Sequence, residues 1–277
     1  TTLRATAPFA SEVAVPVTVT APAGINASIN GYGSAGRVGE DLQVVANVSL
    51  GDTPPSPVDL TATTSAPGVV VISNVDTASG VDEDPATEVH SSVSNSSSRS
   101  FWLQGLQAGQ SAQVTFSAPG YNDAVVTVEV DPSGFVFYAF PEFTTTSLAA
   151  NTSLTLRAAR LSRADLSPQD FVQGYQRVRG GLSVPVTVTS SNPAVGTITP
   201  SPQTIAGGAA TVAVDFDPLT AGTTTLSLQV PAGFDAPNVN NASTGFGART
   251  SQTATVTAPN INASINGYGS AGRVGED

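Results

Sequence analysis

Valine and threonine alternate along much of this chain, and that alternation constrains the fold more than any other feature of the sequence. In VPVTVT, which begins at Val184, the valines occupy every second position, and VVTVEV from Val125 shows the same pattern. Successive side chains of a β-strand point to opposite faces, so each such strand has one apolar and one polar face. We predict an all-β chain of antiparallel strands.

Short turn sequences separate the alternating runs, and glycine and proline at these places favour tight turns. They are Ala118-Pro119-Gly120, Asn192-Pro193, Gly207-Gly208 and Ala221-Gly222. Many short strands bounded by turns, each with one apolar face, are typical of antiparallel β-sandwiches. The chain has 277 residues, of which 40% are hydrophobic, and this suffices for two domains of ordinary size.

A stretch of 17 residues, INASINGYGSAGRVGED, occurs twice without change, at 25–41 and 261–277, which is an offset of 236 residues. Two shorter matches lie upstream of both copies. TVTAP begins at Thr18 and again at Thr255, and TTL begins at Thr1 and again at Thr224. Their offsets are 237 and 223, so the loop between them is 14 residues longer in the second copy. We interpret the chain as a window of a longer tandem array.

Each 236-residue unit contains a second, weaker repeat. PVDLTATTSAPGVVVI from Pro57 is similar to PVTVTSSNPAVGTIT from Pro185, and LQAGQSAQVTF from Leu106 is similar to LTAGTTTLSL from Leu219. The joint between the two halves, VDPSG, is short, which predicts semi-rigid stacking of neighbours. The predicted parts are the C-terminal strands of a preceding domain at 1–23, domain A at 24–131, domain B at 132–259, and the first strand of the next domain A at 260–277.

Two longer stretches carry a resemblance to a known family. VPVTVTSSNPAVGTITPSPQTIAGGAATVAV and GLQAGQSAQVTFSAPGYNDAVVTVEV resemble bacterial immunoglobulin-like (Big-type) tandem-repeat domains of cell-surface and extracellular proteins. The resemblance covers both predicted domains. It implies immunoglobulin-like sandwiches in an extracellular spacer, an adhesin stalk or an assembled surface structure. It supplies no catalytic residues.

The charge and the missing residue types exclude several functions. The net charge is −11, and the ten basic residues are all arginine, so the chain lacks the basic face that nucleic-acid binding requires. It contains no cysteine and therefore no disulfide. Without lysine, Lys–Asn isopeptide cross-links cannot form. No run of 18 apolar residues occurs, so we predict no membrane-spanning segment.

The stretch GYGSAG from Gly31 fits the G-x-G-x-x-G pattern of dinucleotide-binding turns. In that setting the glycines must open a helix, whose N-terminal amides hold the pyrophosphate. Here RVGEDLQVVANVSL follows, which is typical of a strand. We therefore interpret the glycines as a tight connection between two strands, and we predict no cofactor.

His90 is the only histidine, and it lies in the polar stretch VDEDPATEVHSSVSNSSSRS. A Ser–His–Asp arrangement needs partners that orient the imidazole, and nothing in this connection suggests them. One histidine and no cysteine are too few ligands for a structural zinc site. We predict that the chain is not an enzyme.

Calcium is the one metal that the sequence leaves open. Four carboxylates lie in one loop, at Asp82, Glu83, Asp84 and Glu88, and oxygen ligands on loops suit calcium. Their spacing matches no EF-hand loop. A solvated acidic loop is the alternative, and we favour it. The same polar region contains Asn95, the most exposed-looking of six N-x-S/T glycosylation sequences.

One segment departs from the strand pattern and holds half of the arginines: Arg157, Arg160, Arg163, Arg177 and Arg179. Within it, SPQDFVQGYQRVRGG predicts a short helix with Ser167 as N-cap, which ends at Gly180-Gly181. The helix could pack on its own sandwich. We weigh this against an assembly contact, in which the arginines bind carboxylates of a neighbouring domain or chain, the densest acidic loop being 82–88.

Together these features predict a structural, non-enzymatic protein at the cell surface or outside the cell. Arrays of two-domain units would form a fibre, sheath, surface layer or stalk, with copies of the chain or adjacent repeats as partners. The alternative is an adhesin segment that binds a glycan or a surface. An aromatic platform would favour it, yet the only tryptophan, Trp102, lies in SFWLQGL, which is typical of a core strand. Accessory domains of an enzyme are a third interpretation.

Overall fold

The structure, a computed structural model, describes residues 2–5, 13–16, 21–29, 35–80, 89–93, 98–138, 142–169, 176–239 and 248–260. Throughout these ranges the regular elements are strands, β1 to β22, and no α-helix occurs. The strands pair antiparallel except for β4 with β11 and β13 with β22, which are parallel. The prediction of an all-β chain with antiparallel sheets is confirmed.

An N-terminal strand group follows a first hairpin, β1 (Thr2–Ala5) and β2 (Val13–Pro16). Its strands are β3 (Ile25–Ile29), β4 (Ala35–Gly39), β5 (Leu42–Leu50), β6 (Val58–Thr64), β7 (Val70–Ser73), β8 (Val89–Val93), β9 (Ser98–Gly105), β10 (Ser111–Ser117) and β11 (Ala124–Asp131). One sheet has the order β4-β11-β10-β6-β8. The other has the order β5-β9-β7, and β3 pairs with the free side of β5.

A C-terminal strand group comprises the remaining strands. They are β12 (Ser133–Tyr138), β13 (Phe143–Thr146), β14 (Thr152–Arg160), β15 (Arg177–Val178), β16 (Ser183–Val186), β17 (Val188–Ser190), β18 (Gly196–Thr199), β19 (Gln203–Ala206), β20 (Thr211–Pro218), β21 (Gly222–Leu228) and β22 (Ser251–Thr257). The two main sheets have the orders β12-β14-β20-β18 and β13-β22-β21-β17. β16 pairs with β19, and β15 leaves the group to join the N-terminal one.

The two groups repeat one strand order. The sheet β3-β5-β9-β7 corresponds to β12-β14-β20-β18, and β4-β11-β10-β6 corresponds to β13-β22-β21-β17. In each group a short second strand runs parallel to the last one. The weak sequence repeat of the two halves therefore has a counterpart in the topology.

Alternating side chains build the core. Val126, Val128 and Val130 on β11 are all buried. The rings of Phe101 and Phe116, which belong to the two sheets of the N-terminal group, lie 5.6 Å apart. Phe143 and Phe216 make the equivalent contact in the C-terminal group at 5.5 Å. In each group the two sheets therefore face each other, and burial of each large apolar side chain contributes about 1.5–3 kcal/mol.

The hairpin β1–β2 has the register of β21–β22. Thr2 pairs with Pro16, and Leu3 pairs with Val15. The residues that match them in the sequence repeat, at offsets of 223 and 237, also pair with each other: Thr225 with Thr253, and Leu226 with Gln252. The repeat thus extends from the sequence to the pairing of the strands.

The helix that the sequence predicts after Ser167 is not seen. Pro168 instead forms a β-bridge with Leu161, and Gln169 N donates to Arg160 O. Val178, which falls within the stretch predicted to be helical, lies in β15 and is paired with β5. Pairing with the open edge of another sheet has overridden the local pattern. Residues 170–175, the middle of the predicted helix, lie outside the described residues.

Candidate functional site

The segment that connects β14 to β16, residues 161–182, joins the two strand groups. The corresponding connection in the N-terminal group, between β5 and β6, covers only 51–57. The longer segment reaches back to the N-terminal group, where Arg177 pairs with Gln43 and Val178 pairs with Leu42. Since β3 pairs with β5 only from Ala46 onward, β15 occupies the part of that edge that β3 leaves open.

A buried carboxylate lies at the centre of this junction. Asp131, the last residue of β11, has no exposed side-chain surface. Three arginines surround it: Arg37 Nη1 lies 3.1 Å from its Oδ2, Arg163 Nε lies 2.6 Å from its Oδ1, and Arg160 Nη1 donates to its Oδ2. Arg37 belongs to β4, Arg160 to β14 and Arg163 to the connecting segment. One carboxylate therefore holds three parts of the chain together.

Burial of a carboxylate is expensive unless opposite charges and hydrogen-bond donors compensate for the lost water. Glu129, two residues earlier on the same strand, also lies 2.8 Å from Arg37 Nη2. Arg163 adds bonds to backbone, because its Nη2 donates to Val130 O at 2.9 Å. Charge-assisted bonds of this kind are about twice as strong as neutral ones and fix the planar guanidinium in one orientation.

Two further ion pairs cross the junction at β15. Arg177 Nη1 lies 2.8 Å from Asp76 Oδ2, and its guanidinium covers the Trp102 ring at 4.9 Å. Arg179 donates from Nε and Nη2 to Asp41 Oδ1 at 3.1 and 3.0 Å. The backbone N–H of Arg179 also donates to Asp41 O at 2.9 Å. Side chain and backbone thus bind the same residue.

Buried glutamines complete the polar contacts. Gln43 and Gln104 have no exposed surface, and Gln104 Nε2 donates to Gln43 Oε1 at 3.0 Å. Gly180 N donates to the same Gln43 oxygen at 2.9 Å. Gln176 bonds β4 twice, because Gly39 N donates to its Oε1 and its Nε2 donates to Arg37 O. Buried amides with satisfied partners favour one arrangement of the two groups over alternatives.

Glycines allow the two groups to approach closely here. A Cβ on Gly180 would collide with the carbonyl of Ala78. Gly181 has a φ of +79°, which favours glycine, and its N–H donates to Thr77 O at 3.0 Å. The Gly180-Gly181 pair that suggested a helix end therefore permits contact between two backbones. Around them, one continuous cluster of buried apolar side chains includes Val38, Val130, Phe135 and Val178 and runs through both groups.

The structure brings four of the five predicted arginines to this junction. Arg157 is also buried, but it lies within the C-terminal group, with its guanidinium 5.3 Å from the Tyr138 ring. The carboxylates that the four arginines contact are Asp41, Asp76, Glu129 and Asp131. The sequence pointed to the acidic loop 82–88 as the partner of the arginines. It did not indicate that the four carboxylates contacted here would bind them. The only available indication was the position of Glu129 and Asp131 beside the joint.

The other candidates fall mostly outside the described ranges. The calcium candidates Asp82, Glu83, Asp84 and Glu88 and the glycosylation candidate Asn95 lie there, so these stay predictions. His90 lies on β8, paired with Thr61 of β6. Within the described ranges, no three residues of the types His, Asp and Glu are grouped as metal ligands would be. No helix among the described residues has the length and apolar character needed to cross a membrane.

No protein-family model matches the chain, so the resemblance to Big-type domains stays a prediction. No curated protein matches it either. Similar solved structures include the surface-layer protein SbsC: domains 4 and 5 are 14% identical over 56% of this chain and 69% of that one, with a TM-score of 0.30. Domains 1–6 of SbsC are 12% identical over 91% of this chain and 30% of that one, with a TM-score of 0.34.

A third similar structure is the adhesin InvE of Yersinia pseudotuberculosis. It is 14% identical over 84% of this chain and 59% of that one, with a TM-score of 0.29. At these TM-scores the likeness is too low to establish a shared fold.

Proposed function

We propose that this chain is a non-enzymatic structural repeat protein located at the cell surface or outside the cell. It consists of 236-residue units, each with two immunoglobulin-like sandwiches, domain A at 24–131 and domain B at 132–259. The strand orders support this assignment. Immunoglobulin domains pack a sheet of strands lettered A, B, E and D against a sheet of strands C, F and G. The sheets β3-β5-β9-β7 and β12-β14-β20-β18 have the first order, and β6-β10-β11 and β17-β21-β22 have the second. Residues 1–23 are the last strands of a preceding domain B, and 260–277 begin the next domain A.

The observation that carries the proposal is the arginine–carboxylate junction. Domains that serve only as separate binding modules need no such contact, and flexible joints are their ordinary state. Here Asp131 is buried among three arginines, and β15 of domain B extends a sheet of domain A. Such a joint fixes the angle between consecutive domains. A chain of fixed joints makes a stiff element, which suits a fibre, sheath, surface layer or stalk.

The repeat supplies the same joint to every unit of the array. The copy of 25–41 at 261–277 includes Arg273 and Asp277, which correspond to Arg37 and Asp41. Both original residues take part in the junction. The partners of the chain are therefore adjacent repeats or copies of itself. No cysteine or lysine is available for a covalent cross-link, so noncovalent junctions must supply the stiffness.

Electron microscopy of the native cell surface, with antibodies raised against this chain, tests the proposal. We expect labelled filaments or a lattice with a regular axial repeat. The intact mass of the native protein distinguishes two forms of the array. A mass near 27.8 kDa would indicate subunits joined by strand exchange. A larger mass would indicate one continuous chain. Label confined to dispersed single molecules would contradict the structural role.

A further inference from the structure

We propose that domain B contacts the next domain A by inserting Leu148, at the tip of its β13–β14 turn, into a proline-lined pocket at the leading end of that domain. The proposal rests on the tandem array proposed above and specifies its second joint, from B to A. The joint from A to B combines an apolar cluster with arginine–carboxylate pairs. The joint proposed here from B to A depends instead on one exposed leucine and a pocket, so the two contacts differ in chemistry.

The pocket lies at the end of the N-terminal group where the chain enters it, and its volume is about 520 Å³. One side of its wall consists of prolines and a tyrosine, Pro22, Pro54, Pro55, Pro119 and Tyr121, and polar groups of Asp52, Thr53 and Ser56 form another part. Hydrogen bonds hold the three loops in place, since Tyr121 Oη donates to Asp52 O at 2.8 Å and Asn122 Nδ2 donates to Pro22 O at 3.0 Å. The side of the pocket formed by the prolines and Tyr121 is apolar and suits an aliphatic side chain.

Leu148 belongs to the C-terminal group and lies at the end of that group where the chain leaves it. It is 80% exposed, the highest value among the large apolar side chains of the described residues. Its turn is bonded to the last strand, because Ser147 N donates to Thr257 O at 3.0 Å and Thr257 Oγ1 donates to Thr145 O at 3.2 Å. Leu219, also exposed, lies before β21 at the same end.

The sequence repeat brings these two features together. Thr257-Ala258-Pro259 repeats Thr20-Ala21-Pro22, and Pro22 is part of the pocket wall. Two residues of chain span at most about 7 Å. In an array, the pocket of the following domain A therefore begins within about 7 Å of chain from Thr257, the residue that Ser147 contacts. The exposed leucine and the open pocket then meet at one joint.

Cysteine trapping tests this contact directly, because the native chain contains no cysteine. The protein is the full chain extended after Asp277 by a second copy of residues 42–259, so that 261–277 completes a second domain A. Leu148→Cys in the first copy is combined with Thr53→Cys, Pro55→Cys or Pro119→Cys in the appended copy. A disulfide requires Cα atoms about 4.4–6.8 Å apart, so it reports contact.

We expect at least one of the three pairs to form an intrachain disulfide on mild oxidation, at least tenfold faster than a control pair of Leu148→Cys with Val125→Cys. Val125 is half exposed on β11 and does not line the pocket. A second readout uses Leu148→Asp, which should lower the Tm of the extended chain but leave the Tm of the 277-residue chain unchanged, whereas Leu148→Met should preserve both.

Small-angle scattering of the extended chain separates the two ways of failing. A stiff extended chain that forms no disulfide, or forms it only between separate molecules, would overturn the Leu148 contact and leave the structural role intact. A chain whose domains A and B move independently would overturn the proposed function as well.

Discussion

At the scale of single residues, Asp131 distinguishes this chain from a string of independent domains. Its carboxylate is buried, and the arginines that contact it come from both strand groups. Sequence reasoning singled out Arg160 and Arg163, because five of ten arginines lie in one segment that breaks the strand pattern, but it did not single out Arg37. It did not identify Asp131 as their partner, because a single aspartate at a strand end carries no local mark of burial.

Removal of that carboxylate should weaken the junction strongly. Asp131→Asn leaves three arginines facing a neutral amide, and loss of one partner from a buried ionic cluster costs about 3–5 kcal/mol. We expect a fall in the free energy of unfolding of about 3 kcal/mol, measured by urea denaturation of the full chain. Glu129→Gln is the control, because Glu129 is partly exposed and contacts Arg37 and Arg163 near the surface, where each pair contributes about 0–1 kcal/mol. Equal effects of the two substitutions would contradict a central role for Asp131.

Gly180 offers a second test at this scale. In Gly180→Ala the new methyl group would collide with the Ala78 carbonyl, so the two backbones would have to separate. Overpacking of this kind costs about 1–3 kcal/mol. Gly68→Ala is matched to it, since a Cβ on Gly68 meets nothing within 4 Å and should change stability by less than about 1 kcal/mol. If thermal denaturation shows Gly180→Ala to be as stable as Gly68→Ala, the close approach of the backbones is unimportant.

At the scale of elements, the strands were predictable and the connecting segment was not. Alternation of valines located β11, β16 and β17, and Gly207-Gly208 marked the turn after β19. The segment 161–182 has local features of a helix, yet its described ends form a bridge and a strand. Its conformation depends on the open edge of β5, which lies more than 100 residues earlier in the chain. At that edge, Leu42 and Gln43 pair with the two residues of β15. No local pattern reports such an edge.

The position of β15 places Arg177 over the only tryptophan of the chain. We predict that Arg177→Glu removes both the ion pair with Asp76 and the contact with the Trp102 ring, at a cost of about 1–2 kcal/mol. The emission wavelength of Trp102 should shift. In denaturant, the emission should also show that β15 detaches at a lower denaturant concentration than in the native chain. Arg99→Glu is the control: it makes the same charge change on β9, the strand that contains Trp102. It should leave the emission of Trp102 unchanged. An Arg177→Glu spectrum identical to that of the native chain would show that β15 does not hold this position.

At the scale of the whole molecule, the two strand groups have one topology and one continuous apolar core. The chain has no disulfide, so its stability depends on burial, strand pairing and the contacts between neighbours. In tandem-repeat proteins, each unit gains stability from its neighbours. Nearest-neighbour coupling is therefore the property on which the proposed fibre, sheath, surface layer or stalk depends.

Differential scanning calorimetry of the full chain measures that coupling most directly. If the junction joins domains A and B into one body, they unfold together, and the chain shows a single transition whose calorimetric and van't Hoff enthalpies agree. Asp131→Asn should then split or broaden that transition while both domains still fold. Two well-separated transitions in the native chain, unchanged by Asp131→Asn, would show that the domains are independent and would contradict the account.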